Sequence, residues 1–80
     1  MIRITTVEYC RFSIKGRLRL LDLFGEIVFE KVTKTEEVIV FKLFDFYVAV
    51  TKDLGINAVV EADPLSSDEV FQFIFLSENK

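Results

Sequence analysis

Cys10-Arg11-Phe12-Ser13-Ile14-Lys15-Gly16-Arg17-Leu18-Arg19-Leu20 is the stretch on which the fold turns. Its apolar residues fall on even positions and its charged residues on odd ones, the period of two expected of a strand with one buried face. Read so, Arg11, Lys15, Arg17 and Arg19 line a single basic face, and Gly16 marks a tight turn or a bulge. After Leu20 the phase slips, because apolar residues now stand at odd positions, Leu21, Leu23, Ile27 and Phe29. A rival reading makes residues 17–24 a short helix closed by Gly25, since Leu and Arg are good helix formers and no β-branched residue occurs there.

Outward from this stretch the pattern is mostly that of strands. Residues 2–8 are rich in β-branched side chains and predict a first strand. Residues 26–34 alternate again and run into Thr33-Lys34-Thr35-Glu36, a turn that predicts a hairpin. Residues 37–51 are apolar on both faces. As one straight strand they would span roughly 50 Å, too long for so small a domain, so the chain must bend near Lys42 and Asp45. Asp53-Leu54-Gly55 predicts a short loop into residues 56–62, and residues 63–68 predict a longer one. In the last segment Ser66 and Glu69 stand at capping-box spacing, which favours a helix over residues 67–77. Phe71, Phe73 and Phe75 at alternate positions favour a strand, and the strand is the preferred reading. The sum is an all-β chain, or a β-rich α+β chain with one short helix near residues 17–24. About six antiparallel strands would form a small barrel or sandwich within a single compact domain over residues 1–80.

Composition bounds the function. Eighty residues, 51% of them apolar, exclude disorder through lack of hydrophobicity. Yet a domain of about 60 residues buries only about 60% of the surface its unfolded chain exposes, so a chain of this size must leave apolar side chains outside or cover them with a partner. The net charge of −3 is mild, but residues 1–35 carry +3 and residues 36–80 carry −6, a polarity suited to charge-matched protein contact. One cysteine, Cys10, excludes an internal disulfide framework and fits a reducing compartment. No apolar run has the length of a secretory signal or a membrane span, and the expected location is cytoplasmic.

The chain contains no histidine, which removes the usual proton shuttle and the commonest metal ligand. Cys10 shares its parity with Phe12 and Ile14 and reads as a buried structural thiol. Glu61, Asp63, Asp68 and Glu69 are the remaining acid candidates, but turns attract Asp and Ser for their own hydrogen bonds, and an acidic hairpin explains them without a metal. Gly16, Gly25 and Gly55 open no phosphate-binding run. No catalytic residue, cofactor, metal or small-molecule substrate is therefore expected.

Two features remain. The basic residues Arg11, Lys15, Arg17 and Arg19 suit either an acidic protein partner or, with Tyr9 stacking on a base, single-stranded RNA or DNA. Phe44, Asp45, Phe46 and Tyr47 form an aromatic cluster expected to lie partly exposed and to be covered by a second subunit. The function predicted is that of a small, non-enzymatic, homodimeric protein-interaction module, a regulator or inhibitor of a partner protein, of the kind a virus or mobile element encodes. A single-stranded nucleic-acid binder using residues 11–19 is the first alternative, and an acidic metal-dependent hydrolase the second.

Overall fold

A computed structural model describes residues 3–72 of the chain. Three short helices, α1 (Thr6–Cys10), α2 (Ile14–Phe24) and α3 (Ser67–Phe71), flank four strands, β1 (Glu26–Val32), β2 (Glu36–Leu43), β3 (Phe46–Asp53) and β4 (Ala58–Leu65). The strands form one open antiparallel sheet in the order β1-β2-β3-β4. The molecule is thus β-rich, but in place of the expected six strands of a barrel or sandwich the described residues form a four-stranded open meander with α1 and α2 packed on one face.

The N-terminal third is helical where alternation predicts strands. Thr5 caps α1, accepting from the Glu8 amide at 3.2 Å while the Glu8 carboxylate accepts from the Thr5 amide at 2.9 Å. This reciprocal cap satisfies two amide donors that a helix start leaves without partners, and it outweighs the β-branched side chains of Thr5, Thr6 and Val7. Ser13 caps α2 in turn, its hydroxyl accepting from the Gly16 amide at 3.2 Å, so Gly16 lies in the first helical turn and makes neither a hairpin nor a bulge. The helix closed by Gly25 is the reading realised, and it begins at Ile14. Gly25 is not in the left-handed conformation common after a helix. It is required by proximity, since a Cβ there would stand 2.7 Å from the Leu21 carbonyl oxygen and 3.2 Å from the Phe41 ring.

The β1–β2 hairpin forms as its sequence predicts, its turn held by the Thr33 hydroxyl, which accepts from the Thr35 and Glu36 amides. The over-long apolar run folds back at Phe44 and Asp45, and Leu43 pairs with Phe46 across the turn. With a longest dimension of 38 Å the molecule has no room for the straight alternative. β4 runs through Asp63 and Pro64 to Leu65, where a loop is expected, and Pro64 is tolerated because β4 pairs only with β3 among the described strands. At the end of β4 the Ser66 and Glu69 capping box starts α3, so the expected strand over residues 70–76 is helix as far as Phe71. Its remainder, with Phe73 and Phe75, lies outside the described residues.

Register sorts the sheet into two faces. Ile39, Phe41, Leu43, Phe46, Val48, Val50 and Ala62 lie on the face toward α1 and α2, where Tyr9 and Leu21 join Leu43, Phe46, Val48, Val50 and Ala62 in the core. Leu18, Leu20 and Phe44 are packed against it. Val38 and Val40 are buried on the opposite face. No helix among the described residues is long and apolar enough to cross a membrane.

Candidate functional site

The four basic residues do not share a face. Arg17 turns inward, with its side chain only 14% exposed, and acts as a staple between the helices and β4. Its Nε donates to the Phe12 carbonyl at 2.9 Å and its Nη2 to the Cys10 carbonyl at 2.9 Å. Its Nη1 donates to the Asp63 carboxylate at 2.8 Å and, more weakly, to the Ala62 carbonyl at 3.3 Å. The guanidinium also lies 5.3 Å from the centre of the Tyr9 ring. Only a planar fork of donors reaches four acceptors from one position, so this role requires arginine rather than lysine. Arg11, Lys15 and Arg19 remain exposed, on α2 and the turn before it, and make no ion pair among the described residues. The continuous basic strand on which nucleic-acid binding would rest is absent.

Tyr9, the candidate stacking ring, is fully buried. Its hydroxyl donates to the Ala62 carbonyl at 2.9 Å, and its ring meets Phe46 edge-on at 5.7 Å. Burial pushes its phenol far above the ordinary tyrosine range, against the opposing pull of the Arg17 charge. Cys10, expected in the core, is exposed at the end of α1, because the alternation that put it inside does not apply to a helix.

The cluster Phe44, Asp45, Phe46 and Tyr47 is divided by the hairpin turn that contains it. Phe46 points into the core. Asp45 pairs with Arg3 at the surface. Phe44 adopts φ 55°, a conformation costly for a bulky side chain, and packs at 5.7 Å against Phe24 of α2. Tyr47 is half-buried and, with Asp45, Phe46, Leu65, Ser67 and Val70, lines a concavity of about 230 Å³. A second hollow of about 340 Å³ lies on the other side of the turn, bounded by residues 3–6 with Asp45 and Phe46. Neither hollow gathers an acid, a base and a nucleophile.

The acidic residues do gather in part. Glu61, Asp63 and Glu69 border a hollow of about 230 Å³ with Ala49, Thr51, Pro64 and Leu65. Two of them are already engaged, Asp63 by Arg17 and Glu69 by its cap. The amide and hydroxyl of Ser66 hold the Glu69 carboxyl below the usual carboxylate range. Among the described residues no group of three or more acidic or cysteine side chains is placed to hold a metal.

A surface that pattern reading does not single out is more distinctive. Twelve large apolar side chains are exposed among the described residues, and five of them, Leu23, Phe24, Ile27, Val28 and Val32, fall within residues 23–32. They run from the end of α2 along β1. Phe24 continues onto Phe44, and Ile27 lies beside Phe41 across the β1–β2 ladder. β1 is an edge strand, exposed at six of its seven residues, and the helices pack mainly over β2 and β4. Asp22, Glu26 and Glu30 are the only charges in residues 20–30. Only part of the signal for this border was in the sequence, a helix stop at Gly25 followed at once by an apolar strand; that the strand has one neighbour among the described strands follows from the topology.

The fold and surface therefore define a small, helix-backed β-meander with an open, apolar edge. The chain matches no known family model, no curated protein and no solved structure.

Proposed function

We propose that the protein is a non-enzymatic interaction module that self-associates and acts by occupying a partner protein, as a regulator or inhibitor. The observation that carries this reading is the concentration of exposed apolar side chains along residues 23–32, beside a strand whose outer edge has no neighbour among the described strands. Isolated apolar side chains are ordinary on a protein surface, whereas a concentration of them next to an open strand edge is a liability unless something covers it. Even a well-packed chain of this length cannot enclose its apolar half. Arg17, Asp63 and Tyr9 are taken up by the fold itself, Arg17 bonding Asp63 and the Cys10 carbonyl and Tyr9 the Ala62 carbonyl.

Light scattering on a sizing column tests self-association. The expected mass is twice the 9.3 kDa of one chain, and Leu23→Asp with Phe24→Asp should lower it while the circular dichroism of the fold is retained. The same double variant should lose a partner protein that the native chain retains. A monomer at every concentration, together with partner capture indifferent to residues 23 and 24, contradicts the proposal.

A further inference from the structure

We infer that the outer edge of β1 is occupied by β1 of a second copy, antiparallel about a two-fold axis at Phe29, giving one continuous eight-stranded sheet. The inference rests on the self-association proposed above and specifies its geometry.

The two ends of the sheet are not equivalent. β4 carries Pro64, which has no N–H to donate, and its charged side chains, Glu61 and Asp63, are both acidic, so a second β4 laid against it would meet like charge. β1 has no proline and carries both signs, with Glu26 at its start and Glu30 and Lys31 near its end, where Glu30 and Lys31 point to opposite faces. Antiparallel pairing of two β1 strands brings the acidic start of one to the basic end of the other, twice.

The irregularity in β1 makes this match specific. Ile27 pairs with Phe41 and Phe29 with Val40, so one residue, Val28, is extra and the strand changes phase there. Ile27 and Glu30 consequently share the helix-side face, since their partners Phe41 and Ile39 do, and Glu26, Phe29 and Lys31 share the other. A two-fold axis perpendicular to a sheet sets residues of like face opposite one another. With the axis at Phe29, Glu30 meets the partner's Ile27, and the bulge absorbs the extra residue. Lys31 then stands directly opposite the partner's Glu26, and Glu26 opposite the partner's Lys31, on one face. Moving the axis to Glu30 or Lys31 would set like charges against each other. Half-buried Phe29 would meet the partner's Phe29 at the axis, a cross-strand aromatic pair of a favourable kind.

Charge exchange tests this register. Lys31→Glu alone and Glu26→Lys alone each create two like-charge pairs and should weaken dimerisation roughly tenfold or more. The double variant Glu26→Lys with Lys31→Glu should restore the native mass, which a merely local effect of either substitution would not do. In a Cys10→Ser background, Phe29→Cys should give a disulfide-linked pair under mild oxidation, whereas Val60→Cys on the β4 edge should not. A dimer by mass that neither responds to these charges nor cross-links at residue 29 overturns the β1 pairing and leaves the interaction-module reading standing. A double variant weaker than either single variant overturns the register. A native chain that stays monomeric at every concentration overturns the inference together with the self-association on which it rests.

Discussion

Strands β1 and β3 resemble each other in composition and differ in fate. β1, Glu-Ile-Val-Phe-Glu-Lys-Val, has four apolar residues in seven, and β3, Phe-Tyr-Val-Ala-Val-Thr-Lys-Asp, has five in eight. Yet β3 buries Phe46, Val48 and Val50, while β1 buries nothing and leaves Ile27 52% and Val32 65% exposed. The difference is position. β3 has a strand on each side and packs against Tyr9 and Leu21 of α1 and α2, whereas β1 has one neighbour among the described strands and supplies no residue to the core. An apolar strand pattern thus specifies extended backbone, and the topology decides whether its side chains enter the core or stay at the surface.

The contrast is sharpest in truncations. Leu43→Ala, in the core, should cost roughly 2–5 kcal/mol through lost burial and a residual cavity. Val32→Ala should change the monomer by about 0.5 kcal/mol or less. Urea unfolding of the two variants at low protein concentration measures both, and equal losses would erase the distinction between the strands. Next in size is the staple that fastens the helices to the β4 side of the sheet. Arg17→Lys keeps the charge but cannot reach all four acceptors, and should cost about 2 kcal/mol in the same measurement. Tyr9→Phe removes one buried hydrogen bond to Ala62 and should cost about 1 kcal/mol. The smallest effect concerns α3. The Glu69 carboxyl is held below its ordinary value in the fold, so its support for the cap is full above the usual carboxylate range and is lost as pH falls through the lowered value. Following the Ser66 amide by NMR through an acid titration should show that loss in the native chain and not in Glu69→Gln.

The two hairpins from β1 to β3 are readable from pattern because they obey local rules: Thr33 to Glu36 is a turn-forming cluster, and residues 37–51 are too long to stay straight; the run of β4 through Asp63 and Pro64 is not, because Asp and Pro are turn formers that an edge position tolerates. The N-terminal third is not, because alternation at residues 10–20 is compatible with a helix that needs only a narrow buried stripe. Ile14, Leu18 and Leu21 recur at helical spacing, and of these only Leu21 is fully buried. The decisive local signal was the Thr5 and Glu8 capping box, of the same form as that of Ser66 and Glu69. The inward turn of Arg17 has no such signal. Its acceptors at Cys10, Phe12, Ala62 and Asp63 are brought together only by the packing of α1 and α2 against β4, so a residue that pattern reading assigns to a binding face becomes part of the scaffold. Of the aromatic cluster, the turn at Phe44 and Asp45 was legible as a bend, but the inward direction of Phe46 follows from its pairing with Leu43.

Hydrogen exchange as a function of protein concentration tests most directly whether the exposed border of β1 is a surface meant for a second copy. The amides of residues 26–32 should become progressively protected as the concentration rises, while those of residues 58–65 on the opposite edge stay unchanged. Exchange along β1 that is independent of concentration, in a chain whose β2 and β3 amides are fully protected, would contradict it.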